Sequence, residues 1–229
     1  MRVEWSPGEH ITLIGPSGSG KTHAALHLAS LRDHSLVIAT KRRDPLMEQL
    51  GGTHLVTQDL EADVLWTPDD KPLDPRLLYW PRFPEKMGTA ERQAKQAAMI
   101  RKALDWADRT GGWAIVLDEL IWLTMTLRLE REISSAYFQG RTQGVSMIAC
   151  AQRPSHVPLL AFSQASYLFL WQSSDKRDVE RLREISAGIP KELIEDGVRQ
   201  LDWDSHECLF VDTKRRELTR VVFPATIGR

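Results

Sequence analysis

The stretch Gly15-Pro16-Ser17-Gly18-Ser19-Gly20-Lys21-Thr22 holds the residues best suited to chemistry in this chain. Its spacing satisfies G-x-x-x-x-G-K-[ST], in which consecutive backbone N–H groups turn inward around phosphate oxygens. Gly15, Gly18 and Gly20 permit the backbone conformations that such a cradle needs. Lys21 is spaced to reach β- and γ-phosphates, and Thr22 to bind Mg²⁺ through its hydroxyl. The pattern predicts an ATP or GTP site. Its context agrees: the apolar run His10-Ile11-Thr12-Leu13-Ile14 reads as a strand, and the residues after the loop carry Ala24, Ala25, Leu28 and Leu31 at helical spacing. The amino end of that helix adds its partial positive charge to the loop.

A second chemical stretch lies about a hundred residues on, where Trp113-Ala114-Ile115-Val116-Leu117 leads into Asp118-Glu119. A buried strand that delivers two adjacent carboxylates fits the Walker B role: Asp118 to hold Mg²⁺, Glu119 to polarise the attacking water as general base. A third apolar strand, 145–151, ends in Gln152-Arg153-Pro154-Ser155. Gln152 at its tip is placed to sense the γ-phosphate or the water beside it, or else to cap the turn before Pro154.

The elements that must position these groups read in order along the chain. Residues 35–40 form a buried strand running into Lys41-Arg42-Arg43-Asp44-Pro45. In parallel sheets ligands gather at the carboxyl ends of strands. This basic tip therefore either touches phosphate or a neighbouring subunit, or forms a solvated charged turn stopped by Pro45. Residues 51–76, rich in Gly, Asp, Pro and Thr, read as a peripheral excursion. A strand at 76–80 and an amphipathic helix at 89–109 follow, the helix with Ala90, Ala94, Ala97, Ile100, Leu104 and Ala107 on one face. Residues 120–140 read as mostly helical, with Leu120, Leu123, Leu127, Ile133 and Tyr137 inward. Beyond residue 152 come a strand at 166–171, a helix from 175 to about 187 with Val179, Leu182 and Ile185 inward, and a short helix begun by Pro190. A terminal hairpin is expected over 206–223.

The 229 residues suit one α/β domain spanning 1–229. A formal net charge of −1 and a pI near 6.7 do not announce a nucleic-acid binder, although a ring-shaped translocase needs positive charge only along its pore. The two cysteines, Cys150 and Cys208, lack zinc-site spacing and read as buried reduced thiols. No apolar run reaches membrane-spanning length and the amino terminus has no signal-peptide core, so a cytoplasmic protein with no membrane contact is expected. The eight tryptophans are scattered, which favours packing over a base-stacking platform.

Phosphate loop, Asp-Glu strand and Gln-tipped strand together describe a P-loop ATPase with a catalytic glutamate. Their order and wording resemble the HerA/FtsK superfamily of DNA-pumping ATPases. The resemblance rests on residues 15–22, on 115–119, and above all on Gly140-Arg141 followed by Gly144, a strand and Gln152-Arg153-Pro154-Ser155. It implies a RecA-like core of the additional-strand, catalytic-glutamate type: a mostly parallel central sheet flanked by helices, with a C-terminal β-hairpin. It also implies a homo-oligomeric ring, pentamer or hexamer, that uses ATP and Mg²⁺ to move double-stranded DNA. Gln152 would be the sensor. Arg141 would be the arginine finger lent to a neighbour's γ-phosphate, with Arg153 as the alternative.

Because the phosphate loop starts at residue 15, the chain looks like a bare motor core, most like the packaging ATPases of some tailed phages, which work with a portal or connector protein. No C-terminal nuclease cluster of acids is evident. A small-molecule P-loop kinase is disfavoured by Glu119, since a kinase must not activate water. A transporter-type ATPase is disfavoured by the lack of a Leu-Ser-Gly-Gly-Gln-like signature. A cellular HerA/FtsK-like DNA translocase, or a secretion or assembly ATPase of the same superfamily, stays open.

Overall fold

The computed structural model describes residues 5–173, 175–184 and 189–224. The apolar runs become strands β1 (His10–Ile14), β2 (His34–Ile38), β3 (Leu55–Thr57), β4 (Arg76–Tyr79), β5 (Trp113–Leu117), β6 (Ser146–Ala151), β7 (Ala165–Trp171), β8 (Cys208–Asp212) and β9 (Glu217–Val221). The helices are α1 (Lys21–Ser30), α2 (Pro45–Leu50), α3 (Leu60–Asp63), α4 (Thr89–Thr110), α5 (Glu130–Gln139), α6 (Leu159–Ser163), α7 (Lys176–Glu184) and α8 (Lys191–Arg199).

All nine strands join one sheet in the order β3-β4-β2-β5-β6-β1-β7-β8-β9. The first seven in that order are parallel, and β8 and β9 turn back antiparallel as the terminal hairpin. A parallel sheet covered on both faces needs strands that are apolar throughout, and β1, β5, β6 and β7 are buried at every position. Alternate side chains feed two cores. Ile11 and Leu13 of β1, with Val37, Ala114 and Val116, pack against α1 and α2. Leu36, Ile38, Ile115 and Leu117 pack against α4 and α5 on the other face. Among the tryptophans, Trp5, Trp80, Trp106, Trp113 and Trp171 are buried, consistent with packing.

Several elements differ from the sequence reading. Pro45 starts α2 instead of stopping a turn: Asp44 caps it, accepting N–H bonds from Leu46 and Met47 at 3.0 and 3.4 Å, and proline suits a first helical turn that needs no N–H. The 51–76 excursion contributes β3, the sheet's edge strand. In α4 the apolar face is buried only from Gln96 onward, whereas Ala90 and Ala94 are exposed. Residues 120–140 are not one helix. A π-helical turn at Trp122–Thr126 ends where Arg128 takes φ +54°, and α5 starts afresh at Glu130, although all five expected positions are buried. Pro190 sits one residue before α8, at its cap. Leu182 of α7 is buried as expected, while Ile185 and the helix end expected near residue 187 lie outside the described residues.

His10 locks the amino edge of this sheet. Its Nε2 donates to the Tyr137 carbonyl (3.0 Å) and its Nδ1 accepts the Met147 N–H (3.0 Å), so only the neutral ring satisfies both. Burial pushes its pKa down to about 4, reinforced by the Arg141 charge and opposed by the Tyr137 hydrogen bond and by Glu9. A depressed histidine pKa contributes stability that is complete above the unfolded value near 6.5 and lost as pH falls towards the folded one. We expect about 2 kcal/mol to be lost through His10 between pH 7 and 5. Urea unfolding of the parent and of His10→Gln across that range should therefore converge on acidification; parallel profiles would show that His10 does not carry the term.

Candidate functional site

The carboxyl ends of β1, β6, β5 and β2 lie side by side, and each delivers one part of the site. β1 opens into the phosphate loop, whose Gly15 N–H donates to the Ala151 carbonyl at the tip of β6 (3.1 Å). Gly18 and Gly20 adopt φ +83° and +94°, conformations that a Cβ resists, and these turns aim the loop back over α1. No side chain caps α1, so its amino-terminal N–H groups are those available to an anion. Lys21 is 8% exposed and its Nζ donates to the Pro16 carbonyl at 2.7 Å, with Ser19 Oγ at 3.5 Å. Burial pulls its pKa below the ordinary lysine value, as expected of an ammonium held where an anion would relieve it. Uncapped helix end, left-handed glycines and a buried amine together fit a bound triphosphate.

Asp118 and Glu119 follow β5 directly. Thr22 Oγ1 donates to Asp118 Oδ1 at 2.6 Å, so the hydroxyl and carboxylate predicted to share Mg²⁺ are in direct contact. A hard divalent cation bound through oxygens suits this donor pair, with Asp118 itself 8% exposed.

Lys41 is the residue that sequence reasoning left unassigned. Its Nζ lies 3.3 Å from Asp118 Oδ2, 3.3 Å from Glu119 Oε1 and 3.4 Å from Asp44 Oδ2. Burial works against the ammonium, but the surrounding carboxylates outweigh it and hold the Lys41 pKa above its usual value. The register that makes this possible pairs Ile38 of β2 with Leu117 of β5, bringing 41 level with the acid pair. Nothing local in the sequence announces which strand neighbours β2. The only available signal is a basic residue at the end of an apolar strand.

Gln152 follows β6 immediately and is exposed, on a cleft of about 510 Å³ that it shares with Gly15, Pro16, Ser17 and Arg153. Arg153 is held by its own chain: Nε is 3.1 Å from Asp178 Oδ2, Nη2 bonds Asp175, and Ser155 Oγ donates to the same Asp178 at 2.8 Å. Arg141 is exposed and lies in the turn before β6, at the opposite edge of the sheet from the phosphate loop. The six residues of β6 separate the two edges by about 20 Å, so Arg141 cannot reach the phosphate loop of its own chain. Gly140 makes that turn tight, since a Cβ there would fall 2.4 Å from the Ala136 carbonyl oxygen. The Gly-Arg-x-x-Gly segment thus has a structural reason for its first glycine and presents the arginine outward.

No protein-family model matches the chain, and no curated protein matches it in sequence. Solved structures do. The genome packaging NTPase B204 from Sulfolobus turreted icosahedral virus 2, in complex with sulfate, superposes with TM-score 0.71 at 13% identity, over 98% of this chain and 100% of that one. The same viral protein in complex with AMPPCP gives TM-score 0.69 at 12% identity, over 96% and 100%. VirB4 of Thermoanaerobacter pseudethanolicus gives TM-score 0.67 at 12% identity, over 95% and 89%. The fold is therefore that of a RecA-like P-loop NTPase, with β6 as the additional strand between the phosphate-loop strand and the acid strand.

Lys41→Met should leave Asp118 and Glu119 adjacent without their shared cation. We expect a loss of about 1–2 kcal/mol, or roughly 2–8 °C in Tm, and a larger Tm rise on adding Mg²⁺ alone than the parent shows. Thermal melts with and without Mg²⁺ read both; melts matching the parent in each condition would mean that Lys41 does not balance the acids.

Proposed function

We propose that this protein is an ATP-hydrolysing motor subunit that acts as a homo-oligomeric ring on double-stranded DNA, with viral genome packaging as its setting and a portal or connector protein as its docking partner. In this reading Gly15, Pro16, Ser17, Gly18, Ser19 and Gly20 wrap the phosphates, Lys21 neutralises the β- and γ-oxygens, and Thr22 with Asp118 holds Mg²⁺. The metal, when bound, supplies charge stabilisation at the phosphoryl oxygens. Glu119 takes the proton of the attacking water, Gln152 senses that water or the γ-phosphate, and Arg141 completes the site of the adjacent copy.

One observation carries the oligomeric part. Arg153, which shares a cleft with the phosphate loop, is engaged by Asp175 and Asp178, whereas Arg141 is exposed about a strand's length from its own loop. With Arg153 paired to its own acids, this reading takes the transition-state arginine from another copy of the chain. DNA as the cargo is supported by the fold likeness to B204 of Sulfolobus turreted icosahedral virus, described as a DNA-packaging ATPase. The other reading that the sequence carries, a secretion or assembly ATPase of the same superfamily, would not touch DNA.

The test mixes two inactive proteins. Arg141→Ala alone should lose about 10³-fold or more in turnover, as arginine fingers do elsewhere. Mixed one to one with Glu119→Gln protein, about a quarter of interfaces pair an intact base with an intact arginine, and hydrolysis should return. Full activity of Arg141→Ala alone, or no recovery on mixing, would remove the trans arginine. Duplex DNA at low salt should stimulate the parent, and absence of stimulation would favour the secretion or assembly reading.

A further inference from the structure

A second cleft, of about 680 Å³, opens on the carboxyl edge between the turn after β2 and the segment 81–88 that leads into α4. Its walls carry five cations, Lys41, Arg42, Arg43, Arg82 and Arg92, against two acids, Glu85 and Glu119. That is a local excess of positive charge in a chain whose formal net charge is −1, and concave surfaces focus such a field.

The cations are not equally free. Lys41 is occupied by the acid pair, and Arg43 makes an exposed 3.7 Å contact with Glu85. Arg42 and Arg82 have no carboxylate partner among the described residues. Arg82 is nevertheless ordered: its guanidinium lies 4.2 Å from the centroid of the Trp80 ring, its backbone N–H donates to Gln58 Oε1 at 2.9 Å, and Trp80 Nε1 donates to the Lys41 carbonyl at 2.8 Å. The indole thus ties the two loops together and holds one guanidinium over its ring. Deeper in the wall, Arg92 Nη2 donates to the Met87 carbonyl (2.8 Å) while its Nε is buried without a partner.

The arrangement suits a run of phosphates better than a single one. Its free cations are spread over two loops instead of converging on one point, and it has no glycine cradle like that of residues 15–20. Contacts of this kind go to the backbone of a polynucleotide and are indifferent to its sequence. A further basic run, Lys214-Arg215-Arg216, is differently placed. It lies at the amino edge, between β8 and β9; Lys214 Nζ bonds Glu9, and Asp212 accepts the N–H groups of Lys214 and Arg215 at 2.9 Å each.

We infer that the cleft between residues 41–43 and 81–85 binds the phosphate backbone of duplex DNA, through Arg42, Arg43 and Arg82, directly beside the hydrolytic acids. This inference rests on the DNA-motor reading and specifies which surface meets the duplex. Fluorescence anisotropy of a roughly 40-bp duplex, with the full-length protein loaded with AMPPCP, tests it across a salt series. Arg42→Ala/Arg82→Ala should weaken binding about tenfold or more near 100 mM salt and reduce the log–log salt slope by about two. Arg42→Gln/Arg43→Gln, which leaves the Arg82–Trp80 stack intact, should show the same reduction in slope. Lys214→Ala/Arg216→Ala should stay within about twofold of the parent. AMPPCP affinity and Tm, expected at parent values, check that each variant is folded. If the parent binds duplex DNA and both cleft variants bind with its affinity and slope, the inference is wrong and the DNA reading stands. If the parent does not bind duplex DNA at all, both are overturned.

Discussion

Two carboxylates at the end of a buried strand are the constraint around which this molecule is built. Asp118 and Glu119 are adjacent in sequence, Asp118 is almost fully buried, and an uncompensated buried charge is expensive. Compensation comes from two sides: Thr22 donates at 2.6 Å from the start of α1, and Lys41 reaches in from the tip of β2. Each donor stands at the carboxyl end of a different strand or at the helix that follows one. The parallel order β2-β5-β6-β1 is therefore a condition for the acid pair to exist at this depth. The same order brings the phosphate loop and Gln152 onto that edge, so the electrostatics of the acids and the assembly of the site have one structural cause.

How much of this was legible depended on whether the signal was local. The glycine spacing of residues 15–22, the apolar runs of β1 and β5 and the acids after β5 are contiguous in sequence, and each emerges as read. Leu120, Leu123, Leu127, Ile133 and Tyr137 are buried as expected, yet the segment carrying them breaks at 127–129 because Arg128 takes a positive φ that no residue type there advertises. Pro45 misleads for a different reason. Proline both stops and starts helices, and only the two hydrogen bonds to Asp44 decide for a start. Lys41 was visible as a basic strand tip but not as the partner of Asp118 and Glu119, because that follows from β2 lying beside β5. α4 starts at Thr89 as its pattern predicts, but Ala90 and Ala94, which have the right periodicity for its apolar face, are exposed.

The sheet also separates charges by edge. The phosphate loop, the acid pair and the cleft lined by Arg42 and Arg82 occupy the carboxyl edge, whereas Arg141 and the 212–217 turn occupy the amino edge. The tight turn at Gly140, sealed by the Ala136 carbonyl, presents Arg141 outward, while Asp175 and Asp178 tie Arg153 to its own chain. Two arginines separated by one strand thus have opposite fates, and the distinction is a matter of which acids each one meets. A motor built from copies of this chain would draw its transition-state arginine from the edge that its own site does not use.

In the proposed hydrolysis the acid pair divides its labour, Asp118 anchoring the metal and Glu119 taking the proton of water. Turnover and analogue affinity of Glu119→Gln, measured on the same preparation, test it most directly. ATP-analogue binding should stay within about threefold of the parent while hydrolysis falls by about 10²-fold or more. Hydrolysis at the parent's rate with Gln at position 119 would contradict it.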